Sequence, residues 1–385
     1  MGRELEILEV PGAPASAPAA EQGELLKFVD VSKEFDVTGG GILQRKLGTL
    51  HAVSDVSLSI RRGETFGLVG ESGCGKTTLG RMGVALEPPT RGKIVFNGTD
   101  LAAVGRGELR ELRRNIQFMF QDPYASLDPR MRVREIIGEP LAVAKRGTAD
   151  ERYERVKELV KEVGLPADAI GRYPHEFSGG QRQRLGLARA LALNPDVIIA
   201  DEPVSALDVS VRSQVLNLMK RLQASHGLTY VVISHDLSVV RYMADRIGVM
   251  YLGKVVETGT SDDIYQRPAH PYTQGLLEAI PLPDPDTRRS TSEQAPISGE
   301  LPSPLNPPSG CRFRTRCPRA QDICAEQEPP LRPFSDSHQA ACHFPLQTPL
   351  ETALANGSGQ APAEELVGQD GEGHQGDAGH GNGAA

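Results

Sequence analysis

No run of about 18 apolar residues occurs in this 385-residue chain, so no segment reads as a membrane-spanning helix. A secretory start is missing too. The first 24 residues, MGRELEILEVPGAPASAPAAEQGE, are acidic and lack both a basic opening and an apolar core, which favours a cytoplasmic location. Glu6 stands where N-myristoylation needs Ser or Thr. Nor is there an excess of positive charge: the formal net charge of −8 gives no global attraction to nucleic acid. Core-forming residues are scarce at both ends, where residues 11–24 are rich in Pro and Ala and the chain closes with GQDGEGHQGDAGHGNGAA. Residues 1–24 and 346–385 are therefore expected to be disordered tails. His374 and His380, with His343 further back, are read as solvated residues rather than a metal site.

Between the tails, short apolar strands alternate with helical stretches, as in ETFGLVGESGCGKTTLGRM and PDVIIADEPVSALDVSVRSQVLNLMKRLQ. That alternation predicts an α/β fold around a parallel sheet. The strand TFGLVG runs into Gly70-Glu71-Ser72-Gly73-Cys74-Gly75-Lys76-Thr77, which fits G-x-x-x-x-G-K-[ST] in its strand-to-helix context. Glycines let the backbone wrap phosphates, Lys76 is a point charge for the terminal phosphates, and the Thr77 hydroxyl can ligate Mg²⁺. A phosphate-binding loop for a nucleotide follows.

The strand DVIIADEP delivers Asp201 and Glu202 to the carboxyl end of the sheet, where ligands bind. Asp201 can hold the metal, and Glu202 can orient or deprotonate an attacking water. A solvated acidic turn is the plain alternative, weakened by the loop upstream. TYVVISHD ends at His235, which could hydrogen-bond a γ-phosphate or serve only the structure. Gln121, closing IQFMFQ, offers a neutral acceptor to a metal or water. HEFSGGQRQRLGLARAL opens a helix at Ser178, with Gly179 and Gly180 leaving backbone N–H groups free to face an anion.

Together these residues resemble the ATP-binding subunits of ABC transporters, over about Leu26 to Gly259. GESGCGKT is similar to Walker A, Gln121 to the Q-loop, FSGGQ to the family signature, VIIADEP to Walker B, Ser205-Ala206-Leu207-Asp208 to the D-loop, and His235 to the switch histidine. The resemblance implies a P-loop NTPase (RecA-like) core with an antiparallel β subdomain and an α-helical subdomain. It also implies ATP bound by residues 70–77, Thr78 and Asp201, and Mg²⁺ held through Thr77, Gln121 and Asp201, with Glu202, His235 and Gln121 serving catalysis. In this family two such domains dimerise head to tail. Ser178, Gly179, Gly180 and Gln181 are then expected to face the γ-phosphate of a partner chain's nucleotide, and Phe35 of VSKEFDV to stack on adenine, core packing being its alternative.

Two further stretches resemble the oligopeptide and dipeptide importers. QRPAHPYTQGLLEAIP and GCRFRTRCPRAQDIC are similar to their C-terminal extension, and DVTGGGILQRKLGTLHAVSDVSL to the insertion of the second ATPase of the pair. The expected partners are a second, homologous ATP-binding chain in a heterodimer, two membrane permease subunits and an extracytoplasmic solute-binding protein. Nucleic acid is not expected. The chain is placed on the cytoplasmic face of the membrane, peripheral, touching the bilayer only through the permeases. Expected boundaries are 25–264 for the ATP-binding domain, with a helical subdomain at about 122–183, and 265–345 for the extension.

Four of the five cysteines, Cys311, Cys317, Cys324 and Cys342, fall within 32 residues as C-x5-C-x6-C-x17-C. Disulfides are uncommon in a cytosolic protein, leaving a tetrahedral zinc site, an iron–sulfur cluster or four core thiols, and spacing does not choose among them. The importer resemblance favours a [4Fe-4S] cluster over Zn²⁺. Competing functions are an importer of nickel or another small solute, a soluble ABC-type ATPase, and an inactive nucleotide-binding module. The soluble class carries long coiled-coil inserts or a second cassette, and neither is seen; an inactive module is expected to lose Glu202, His235 or the signature glycines, and all are present.

Overall fold

The runs TFGLV, VIIAD and TYVVIS are buried at every position rather than at alternate ones, as strands covered on both faces must be. In the computed structural model, which describes residues 23–39, 45–122, 126–280 and 299–348, they form the centre of an eight-stranded sheet. Most of both expected tails lies outside the described residues, as does the tip of the insertion at 40–44.

The chain opens with β1 (Glu24–Gly39), β2 (Arg45–Arg61), β3 (Thr65–Val69) and α1 (Lys76–Gly83), then β4 (Arg91–Phe96), β5 (Thr99–Asp100), α2 (Arg106–Asn115) and β6 (Ile116–Met119). Three helices follow, α3 (Val133–Val143), α4 (Ala149–Glu162) and α5 (Gly179–Leu191). Next come β7 (Val197–Asp201), α6 (Val209–His226), β8 (Thr229–Ser234), α7 (Leu237–Met243), β9 (Arg246–Tyr251) and β10 (Lys254–Thr260). The final elements are α8 (Ser261–Gln266), α9 (Pro271–Glu278), α10 (Ile323–Glu326), β11 (Leu331–Pro333) and β12 (Gln339–Ala341).

One antiparallel sheet has the order β2-β1-β4-β5; the insertion lengthens its first hairpin, in which β1 and β2 pair from Glu24↔Arg61 out to Gly39↔Arg45. The other sheet runs β11-β12-β10-β9-β3-β8-β7-β6 and is parallel from β9 to β6. A parallel sheet gathers its strand carboxyl ends on one side, so β3, β7 and β8 bring Gly70, Asp201 and Ser234 together. The helix ADERYERVKELVKE is closed by a capping box, in which Thr148 Oγ1 accepts from Glu151 N–H while Glu151 accepts from Thr148 N–H. Its Val156, Leu159 and Val160 are buried with Val133, Ile136 and Ile137 of α3, so its apolar stripe is core rather than a solvated face.

After β10 the chain continues the same sheet instead of forming a separate layer. β12 adds to the edge of β10 through Glu257↔Ala340 and Thr258↔Gln339, and β11 adds to β12. Glu257 is fully buried, and its carboxylate is satisfied by the N–H groups of Ala269 and His270 and by His338 Nε2 at 2.7 Å. Burial pushes the His270 imidazole down to about 4, against the pull of Glu257, so its neutral Nδ1 can cap α9 by accepting from Tyr272 N–H. No helix among the described residues is long and apolar enough to cross a membrane.

Candidate functional site

β3 ends at a loop that only glycine can shape at two points. Gly70 has φ 151° and a Cβ there would sit 2.1 Å from the Met250 carbonyl oxygen; Gly75 has φ 107° and a Cβ would sit 2.1 Å from that of Ala52. α1 starts at Lys76, which is 6% exposed and whose Nζ donates to the carbonyls of Gly70 at 2.7 Å and Glu71 at 2.9 Å. Cys74 is buried among apolar neighbours, and burial pushes its thiol up. The Thr77 hydroxyl donates to Asp201 Oδ1 at 3.1 Å, joining the loop to the end of β7. Burial raises the Asp201 carboxyl above the usual carboxylate range, Thr77 pulls it back, and Glu202 beside it adds to the rise. An incoming divalent cation would meet an oxygen pair already in place.

Glu202 is 8% exposed and takes a left-handed φ of 49°, unusual outside glycine, with its N–H donating to Ile233 O. Its Oε1 accepts from the His235 N–H at 3.0 Å and lies 2.7 Å from His235 Nδ1, while the His235 ring remains exposed. A buried carboxylate is thus aimed by the end of the next strand. A cavity of about 260 Å³ opens beside the loop, and Ser72, Gly73, Thr78, Gln121 and Glu202 line it. Phe35 and Leu50, partners across β1 and β2, line it as well, together with Ala52. Phe35 is half-buried with Lys33 Nζ 4.9 Å from its ring, so it borders the cavity rather than filling the core. Pro304 also lines the cavity; sequence reasoning missed it, since LPSPLNPPSG reads only as a Pro-rich connection.

The signature residues lie elsewhere. Among the described residues, none of Ser178, Gly179, Gly180 and Gln181 lines that cavity. Ser178 caps α5 in a capping box with Gln181, accepting from Gln181 N–H at 3.4 Å and donating its own N–H to Gln181 Oε1 at 3.0 Å. The glycines have a second task that spacing did not show. A Cβ on Gly180 would lie 2.3 Å from Val211 Cγ1, and one on Gly179 would lie 3.3 Å from Leu207 Cδ2, so the helix start packs tightly on the segment after β7. In that segment Ser205 donates to the Glu202 carbonyl, Ala206 is exposed, and Asp208 precedes α6.

Cys324 and Cys342 are buried, and Cys311 and Cys317 half-buried, with Cys311 N–H donating to Cys324 O at 2.8 Å. Burial pushes the Cys311 thiol up to about 11 and that of Cys342 up to about 12, and the neighbouring cysteines add to both rises. The four thiols are close enough to influence one another, yet among the described residues no group of three or more His, Cys, Asp or Glu side chains is arranged to hold a metal ion. The four cysteines singled out in the sequence therefore lie near one another without forming such a group.

Known proteins share both halves of this arrangement. The ABC transporter family matches residues 53–205, and the oligopeptide/dipeptide transporter C-terminal region matches residues 256–324. The oligopeptide transport ATP-binding protein AppF of Bacillus subtilis is 54% identical over 330 residues, covering 85% of this chain and 99% of that protein. A putative peptide import ATP-binding protein of Brucella ovis is 54% identical over 299 residues, covering 78% and 93%. Among solved structures, the ATP-binding cassette MJ0796, a dimer in a post-hydrolysis state bound to ADP and Pi, is similar with TM-score 0.55 and 32% identity, covering 62% of this chain and 99% of that one. With a phosphate loop and an acidic strand end inside the matched cassette, and relatives 54% identical over most of its length, the chain belongs to the ABC transporter ATP-binding proteins, in the branch that carries the oligopeptide/dipeptide transporter C-terminal region.

Proposed function

We propose that this chain is the ATP-hydrolysing motor of a peptide importer, working at the cytoplasmic face of the membrane. The observation that carries the reading is that Glu202, hydrogen-bonded to His235, lines one cavity with the Lys76 loop, while the signature residues do not line it. On this reading the chain supplies the hydrolytic side of the site and needs a closing face from elsewhere. A second, homologous ATP-binding chain supplies that face, its signature meeting this chain's nucleotide while Ser178–Gln181 meet the partner's. The family likeness supports a heterodimer beneath two permease subunits fed by an extracytoplasmic solute-binding protein.

The chemistry follows from placement. Residues 70–78 wrap the phosphates, Lys76 swings from the Gly70 and Glu71 carbonyls onto the terminal phosphates, and Phe35 stacks on the base. Thr77, Asp201 and Gln121 would hold Mg²⁺, which would supply positive charge to the phosphoryl oxygens. Glu202 takes a proton from the attacking water, and His235, hydrogen-bonded to it, registers the γ-phosphate. ATP binds the closed pair better than the open one and so drives closure; hydrolysis removes that preference. Within residues 25–264, the helical part at about 122–183 carries this motion toward the permeases. A groove beside β6, lined by Phe118, Phe120, Leu127 and Arg189, offers them a seat.

In proteoliposomes holding this chain, its partner, the permeases and the solute-binding protein, uptake of a labelled oligopeptide should require Mg-ATP. Ser178→Arg, which sets a long cation at the exposed helix cap, should abolish uptake while leaving this chain's own ATP affinity within about twofold. Uptake that survives the substitution would count against the trans site.

For residues 265–345 we favour a [4Fe-4S] cluster on Cys311, Cys317, Cys324 and Cys342, with Zn²⁺ the alternative. Binding would require the four thiols to deprotonate and draw together, and the role would be structural. Anaerobically purified protein should contain about four irons per chain and absorb broadly in the blue, and Cys317→Ser should lose both. One zinc in colourless protein would select the alternative, and neither metal would leave core thiols.

A further inference from the structure

The extension reaches back into the phosphate loop. Arg316, whose side chain is 9% exposed, donates from Nη1 to Glu71 Oε2 at 2.8 Å and from Nη2 to Glu71 Oε1 at 3.0 Å. That is a bidentate fork on the second residue of the loop. The fully buried Tyr272 accepts the Glu71 N–H on its hydroxyl at 2.9 Å and is fixed by Tyr251 and Phe313 at ring distances of 4.7 and 5.3 Å. The Glu71 carbonyl in turn accepts from Lys76 Nζ at 2.9 Å. All three polar groups of Glu71 are therefore engaged, two by the extension and one by the lysine that must meet the nucleotide.

A second contact from the same loop supports the other side. Arg312 donates to Ser54 Oγ at 2.9 Å and to the Leu252 carbonyl, in the turn whose Gly253 N–H donates to Cys74 O at 2.8 Å. The phosphate loop is thus held directly at Glu71 by side chains of the extension, and at Cys74 by the Gly253 backbone, in a turn that Arg312 braces.

We propose that Arg316, together with Tyr272, is a positioning residue for ATP, which makes the C-terminal extension a working part of the nucleotide site. Arg316 does not touch the nucleotide; it neutralises Glu71 and fixes the start of the loop. Without it, a partly exposed carboxylate stands unpaired in a loop that must accept a triphosphate, and like charges repel. With it, the loop backbone is held for the phosphates before ATP arrives, which lowers the ordering cost of binding. The inference rests on the ATPase reading.

The test is calorimetric titration of Mg-ATP into the full-length chain, in a Glu202→Gln background to prevent turnover. Arg316→Ala should raise Kd about tenfold, and Arg316→Lys, which keeps the charge but loses the fork, should fall between. Adding Glu71→Gln to Arg316→Ala should bring Kd back to within about twofold of Glu71→Gln alone, the coupling expected of a contacting pair. In the turnover-competent chain, Arg316→Ala should raise KM while leaving kcat within about twofold.

A staple that only holds the extension predicts a lower melting temperature, an unchanged Kd and no rescue by Glu71→Gln; that pattern overturns the proposal. Tyr272→Phe removes one hydroxyl with little change in volume, so it keeps the test open if Arg316→Ala does not fold. Its Kd should rise about threefold, and an unchanged Kd with this variant also counts against the idea. Failure of the unsubstituted chain to bind Mg-ATP would sink the ATPase reading instead.

Discussion

Glu202→Gln is expected to cut ATP turnover by roughly 10²- to 10⁴-fold while leaving ATP affinity close to that of the unsubstituted chain. The amide has the shape of the carboxylate and can still accept the His235 N–H, so the left-handed turn at residue 202 keeps its anchor. What is lost is the ability to take a proton from water, which matters in the transition state and not in nucleotide binding. Phosphate release and a parallel binding titration separate the two. With its partner present, the variant should accumulate as a closed ATP-bound pair, because closure is driven by binding and reversed by hydrolysis. A fall in turnover of less than about tenfold would remove Glu202 from the role of base and shift attention to His235.

Lys76→Ala should be as damaging by a different route. Lys76 is nearly buried, and its ammonium is satisfied by the Gly70 and Glu71 carbonyls. The substitution removes the cation that neutralises the terminal phosphates, takes the lysine donor from the Gly70 carbonyl and leaves the Glu71 carbonyl with only the Cys74 N–H. Turnover should fall by about 10²- to 10³-fold, the scale of losing one preorganised charge-stabilising donor. Unlike Glu202→Gln, this variant should also weaken ATP binding, because the lysine meets the phosphates in the ground state as well. Lys76→Arg should not restore activity: the planar guanidinium spreads its charge over a rigid fork and does not replace a compact point charge bonded to two loop carbonyls. ATP binding unchanged in Lys76→Ala would mean that the loop amides alone hold the nucleotide.

Local chemistry is what the sequence determined by itself. The phosphate loop, the helix cap at Ser178, the acidic end of β7 and the three fully buried strands are written in spacings of a few residues, because each depends on neighbours along one turn or one strand. The α/β fold followed from the same patterns, and the family followed from their joint occurrence. Tertiary structure decided the rest. Gly180 reads as an opening for an anion, and only packing shows that Val211 would meet its Cβ. The four cysteines cluster in sequence, yet their arrangement depends on how the extension folds against β10. Most of all, Glu71 and Arg316 are 245 residues apart. Neither has a periodic or spaced partner that would mark it, so the sequence reads one as a loop residue and the other as a charge among cysteines. The contact arises because β11 and β12 prolong the core sheet and Tyr251, Tyr272 and Phe313 pack in one cluster, which sets the extension's arginines beside the phosphate loop.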